Sequence, residues 1–163
     1  SPWLNIAHGG NLNTAPPHLS KNYQDDAEVF KPTSTSYYIG TGTGNLPALF
    51  NRDNLSDVSS ELVEGVENMQ ILYGVDTDPT ADGVVDQYIK ANAISTAVPP
   101  VIPGWDRVIA VRISLLMRSV SEVATTSSSY TFDGVSYPPA GGDRFLRQEY
   151  TSTVQLRNRS LLP

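Results

Sequence analysis

The clearest periodicity in the chain lies between Val108 and Arg118. Ile109, Val111, Ile113, Leu115 and Met117 recur at every second position, with Ala110, Arg112, Ser114, Leu116 and Arg118 between them. Side chains of a strand alternate between two faces, so the pattern predicts a strand whose Ile109–Met117 row faces a core. A helix would scatter the same residues around its circumference. Tyr150, Ser152, Val154 and Leu156 alternate with Thr151, Thr153, Gln155 and Arg157 and predict a last strand.

Turn residues between shorter apolar runs predict hairpins. Ser36–Ile39 reads as a strand, Gly40-Thr-Gly-Thr-Gly44 as a turn and Ala48–Arg52 as the returning strand. Asp133-Gly134 sits between Tyr130-Thr-Phe132 and Val135-Ser-Tyr137. That is the signature of a two-residue turn needing positive φ at both centres. From Ser59 to Tyr73 two patterns compete. Leu62, Val63, Val66, Met69 and Tyr73 fit one helical face, whereas Met69, Ile71, Tyr73 and Val75 alternate. Gly65 weakens the helix. A turn or short helical piece is expected first, then a strand from about Glu67 to Val75, with Val84–Ala91 as its return partner. Ser1 to Pro32 reads as loop, with a short strand near Ala27–Phe30. The fold class expected is mainly β: antiparallel sheets and hairpins with long loops and little helix, in a single domain over 1–163.

At 163 residues the chain is one domain long, and 12 Gly with 12 Pro fit frequent turns. The net charge of -6 argues against a nucleic-acid partner, which needs clustered Lys and Arg. The one basic concentration, Arg144, Arg147, Arg157 and Arg159, reads as a solvated strand face or as a contact with an acidic partner. The absence of cysteine removes disulfides and thiolate metal sites. No apolar run approaches the ~20 residues that span a bilayer.

One loop carries candidate chemistry. Asp76, Asp78, Asp82 and Asp86 fall in a short stretch, with Gly83 after the third. Calcium takes hard oxygen ligands from loops of this composition. The spacing departs from D-x-D-x-D-G, because Pro79-Thr80-Ala81 separates Asp78 from Asp82, and no Glu closes the loop. Two readings stand: a calcium loop using the four aspartates, or a hairpin loop in which Asp and Gly serve turn geometry and solubility. Gly40–Gly44 lacks the G-x-G-x-x-G spacing and a Lys-Ser/Thr tail, so it is a turn and not a phosphate cradle. His8 and His18 stand alone, and neither G-x-S-x-G nor cysteine is present, so no catalytic set is expected. Glu61, Glu64 and Glu67 read as an exposed, solvated face. Trp105 reads as a cap over a core edge or as a carbohydrate platform.

Several blocks together resemble PilW, a family of type IV pilus minor pilins related to the minor pseudopilin J of type II secretion. They include Tyr37-Tyr-Ile-Gly40, Leu62-Val-Glu-Gly-Val66, Met69-Gln-Ile-Leu-Tyr-Gly-Val-Asp-Thr-Asp78, Arg107–Ser119 and Tyr130-Thr-Phe-Asp-Gly134 leading to Arg144–Arg159. The acidic loop departs from the tighter form of relatives by the inserted Pro79-Thr-Ala81. The resemblance implies a non-catalytic minor pilin that primes pilus assembly and joins a tip complex. Its partners would be other minor pilins and pilus tip or assembly proteins. It also implies an extracytoplasmic place, with an inner-membrane anchor through an N-terminal helix preceding this globular region; the chain would then be a fragment of a longer minor pilin. Apolar surface and strand edges that such a helix covers would be left open. A secretion pseudopilin, and a β-rich adhesin or carbohydrate-binding module using Trp105 and the acidic loop, are the alternatives.

Overall fold

In a computed structural model of the chain, residues 30, 32–95 and 104–157 are described. The chain divides into two units, Ser1–Pro32 and Thr33–Pro163. The strands of the described residues belong to the second unit. His8, His18 and, but for Phe30, the strand expected at Ala27–Phe30 lie outside the described residues.

The protein is β-rich, as the alternation predicts, and the pairs among its named strands are antiparallel. A three-stranded sheet is built from β1 (Thr35–Thr41), β2 (Pro47–Asp53) and β3 (Val58–Glu64), in that order. A four-stranded sheet contains β4 (Val66–Val75), β5 (Gln87–Ile89), β6 (Val108–Arg118) and β9 (Arg147–Gln155), in the order β5-β4-β6-β9. A small hairpin, β7 (Tyr130–Phe132) with β8 (Val135–Tyr137), lies in the connection between β6 and β9. Asp133 (φ 51°) and Gly134 (φ 74°) form its turn, as that turn type demands.

Three local expectations are corrected. The stretch expected as turn or short helix is strand β3. Phe50 faces Glu61 and Leu49 faces Val63, so Leu62 is the extra residue of a bulge. The bulge breaks the period of two and leaves apolar neighbours that mimic a helical face. The return strand expected over Val84–Ala91 is only β5, paired to Tyr73–Val75. The third correction concerns which face of β6 is buried. Val108, Ile109, Ala110, Ser114 and Leu116 are buried, while Val111, Ile113, Leu115 and Met117 are only half-buried. The alternate face wins because the connections fold over it. Tyr88 and Val85 lie against Gly74, the Arg112 guanidinium stacks on Tyr88 at 3.5 Å, and Arg118 stacks on Phe145 at 4.1 Å. Small Ala110 and Gly74 admit that close approach.

The two sheets meet at Gly65. β3 and β4 are one run of chain that turns between the sheets there, with φ 79°. The Gly65 N–H donates to Pro47 O of β2 (2.6 Å), and its carbonyl accepts from the Arg118 N–H of β6 (2.7 Å). A β-carbon at this position would stand 2.6 Å from Arg118 O. Only glycine combines that φ with that contact.

Candidate functional site

The acidic loop between β4 and β5 stands at one end of the second sheet. Beneath it Val75, Ile94 and Val108 form a small core, flanked by Tyr73, Ile89 and Leu156. Asp76 follows Val75 directly and is fully buried. A buried carboxylate needs partners, and the loop supplies them. Its Oδ2 accepts the N–H groups of Asp82 and Gly83, both at 2.9 Å, and its Oδ1 accepts that of Asp78 at 3.2 Å. Arg107 Nη1 lies 3.7 Å from Oδ1. Burial pushes the Asp76 carboxyl upward, but the three N–H donors and Arg107 outweigh it and hold it below the usual carboxylate value.

Of the four expected calcium ligands, three converge. One carboxylate oxygen each from Asp76, Asp78 and Asp86 lies within 4.8 Å of the others. Asp82 stands outside this group and accepts the Val84 N–H at 2.8 Å. Asp86 Oδ2 accepts from the N–H (2.6 Å) and hydroxyl (3.0 Å) of Thr77. The Asp78 carboxyl is pushed up, first by the charge of Asp86, then by burial and by Asp82 and Asp76. Arg107, to which sequence reasoning gave no role, donates to the carbonyls of Asp78 (3.2 Å) and Pro79 (3.5 Å).

Trp105 meets Tyr73 edge to face, with ring centroids 5.0 Å apart. That geometry favours its reading as a cap over the core edge.

At the other end of the sheet the expectation of solvated charges is corrected for Arg147 and Glu67, while Arg144, Arg157, Glu61 and Glu64 are exposed and Arg159 lies outside the described residues. Arg147 has a side chain only 4% exposed and is clamped between Glu67 (Nε to Oε2, 2.6 Å) and Asp143 (2.7 and 2.8 Å). Arg118 reaches Glu67 at 3.1 Å. Hydrogen bonding from Arg147 holds the Asp143 carboxyl low. Arg144 pairs with Glu122, and Glu61 accepts the Thr43 N–H and hydroxyl, closing the turn between β1 and β2. The Glu67–Arg147 partnership spans 80 residues and leaves no local sequence signal.

The remaining feature is exposed apolar surface. Ala48 is the one buried residue in β1, β2 and β3. Tyr37, Tyr38, Val58, Leu62 and Val63 are exposed on this sheet, and Tyr38 stacks on Phe50. On the second sheet, Met69, Ile71, Val111, Ile113 and Leu115 form a half-buried row that continues into exposed Tyr150 and Val154.

The family model described as type IV pilus-assembly protein W matches residues 36–158, which takes in every strand from Ser36 onward. The chain belongs to the PilW family. No curated protein and no solved structure matches it. PilW membership assigns the chain to type IV pilus assembly, in agreement with the resemblance of its sequence blocks. Among the described residues no helix is long and apolar enough to cross a membrane. Both sheets lie within the PilW match, so the exposed surfaces belong to the family's own domain and not to an appended module.

Proposed function

We propose that this PilW chain is a non-catalytic minor pilin that primes pilus assembly and sits in a tip complex, acting through protein–protein contacts. The observation that carries the reading is the first sheet: three strands with apolar and aromatic side chains exposed and almost nothing buried. Contiguous exposed apolar surface of this kind is the mark of an interaction site. Tyr37, Leu62 and Val63 would meet neighbouring pilins, and the half-buried row of the second sheet would receive the family's N-terminal anchoring helix. The setting is extracytoplasmic.

The test is replacement of the chromosomal gene by a Tyr37→Glu/Leu62→Glu variant whose purified domain melts like the parent. Loss of surface pili, and of co-purification with the other minor pilins, is the expected result. Normal piliation in a strain lacking the gene would overturn the reading. Normal piliation with failed protein secretion would move the protein to a secretion pseudopilus.

A further inference from the structure

The acidic loop gathers carboxylates, yet a cation already lies among its oxygens. We propose that the Arg107 guanidinium is the resident cation of this loop, taking the place a divalent ion would hold, so that the loop keeps its shape without metal. A hard cation in such a loop takes carboxylate oxygens together with backbone carbonyls. Arg107 engages the same kinds of atom: carbonyls of Asp78 and Pro79 by donation, and Asp76 Oδ1 at 3.7 Å.

Two further observations fix it there. The Arg107 carbonyl accepts the Asp76 N–H at 3.1 Å, so the backbone delivers the guanidinium to the carboxylate. Its side chain is 16% exposed and that of Asp76 is fully buried, so the pair is shielded from water. The inserted Pro79-Thr80-Ala81 takes part directly, because the Pro79 carbonyl is one of the guanidinium's acceptors. Asp82, displaced by that insertion from a D-x-D-x-D-G position, turns to its own loop instead. The planar fork reaches two carbonyls at once, which a Lys ammonium would not reproduce.

The test is thermal melting of the full chain in chelator, in millimolar calcium and in millimolar magnesium, for the parent and for Arg107→Met. The parent is expected to melt within about 1 °C in all three. Arg107→Met is expected to melt several degrees lower in chelator. Calcium should return at least half of the loss, since the freed oxygens then suit a hard cation, and magnesium should not. The proposal is overturned if calcium raises the parent's melting point by several degrees, if Arg107→Met melts like the parent, or if calcium fails to restore the variant. Should Arg107→Met not fold, Arg107→Lys with amide exchange at Asp82 and Gly83 decides. Protection lost in chelator and regained in calcium supports the proposal, and protection unchanged from the parent sinks it. Piliation is not read, so failure here is distinct from failure of the assembly reading.

Discussion

Gly65→Ala is the sharpest probe of the architecture, because one residue joins the two sheets through both its N–H and its carbonyl. Two terms add. A residue with a β-carbon held at φ 79° carries backbone strain of about 1 kcal/mol or more. The new β-carbon also stands 2.6 Å from Arg118 O, a backbone atom that cannot swing aside. Relief requires lengthening the bond to Pro47 O or that from Arg118 N, each worth roughly 0.5–1.5 kcal/mol. The smaller entropy of the unfolded alanine chain offsets about 0.4–1 kcal/mol. The net loss is about 1–2 kcal/mol, roughly 3–8 °C in melting temperature for a domain of this size. Gly83→Ala is the matched control. Its φ is 78°, but a β-carbon there meets nothing within 4 Å. It should lose only the strain less the same entropy offset, a net of about 0.5 kcal/mol or less. Urea unfolding followed by circular dichroism reads both. If the two substitutions prove equal, the contact with Arg118 O is not what reserves position 65 for glycine, and the corner argument fails.

Other consequences are briefer. Arg147→Met takes the hydrogen-bonded guanidinium from Asp143 and leaves Glu67 with Arg118 alone, and should cost about 3 kcal/mol by urea titration. Asp143 and Asp76 have folded pKa values below the unfolded value, so the unfolded chain binds more protons as pH falls. Their contribution is therefore full above the ordinary carboxylate value of 3.8 and is lost as pH drops through the lowered folded values. The urea midpoint should hold from neutral pH to about 4 and then fall. Asp78 has the opposite sign: its raised value means that the charge opposes folding above it, so Asp78→Asn should raise the midpoint at pH 7. A fall in that variant would show that the carboxylate serves the loop.

What the sequence made legible was local. The β7–β8 hairpin could be read because both strands and the Asp133-Gly134 turn are contiguous, and β6 because its alternation is uninterrupted. β3 was hidden by a one-residue bulge against Leu49 and Phe50, which alternation cannot see. The buried face of β6 was misread for a different reason. Apolarity says which face prefers a core, but burial is decided by what folds over the strand, and here Tyr88 and Phe145 bring arginines down onto the other face. The gathering of aspartates in this loop was visible in its composition, but not in its spacing, which departs from D-x-D-x-D-G and gave no sign that Asp82 would stand apart. Arg107 enters from 29 residues away and Arg147 meets Glu67 across 80, so neither partnership had a sequence signal.

The contrast between the two sheets carries a last prediction. A three-stranded sheet needs a covered apolar face for independent stability. The first sheet buries Ala48 alone and is tied to the rest by the Gly65 corner, whereas β6 buries Val108, Ile109, Ala110, Ser114 and Leu116. β2 and β6 are both central strands, so their ladder amides are bonded on both sides and differ mainly in what lies above and below. Local opening should then release β2 amides well before β6 amides, because opening free energy follows buried apolar contact. Hydrogen exchange on the isolated chain reads this directly, with β2 expected to exchange at least tenfold faster. Equal protection of the two strands would mean that the first sheet is stable alone, and its exposed side chains would lose their argument as an incomplete surface. If a partner pilin covers that sheet, adding it should slow β2 and leave β6 unchanged. A partner that slowed β6 alone would instead be docking on the half-buried row, against the role assigned to Tyr37, Leu62 and Val63.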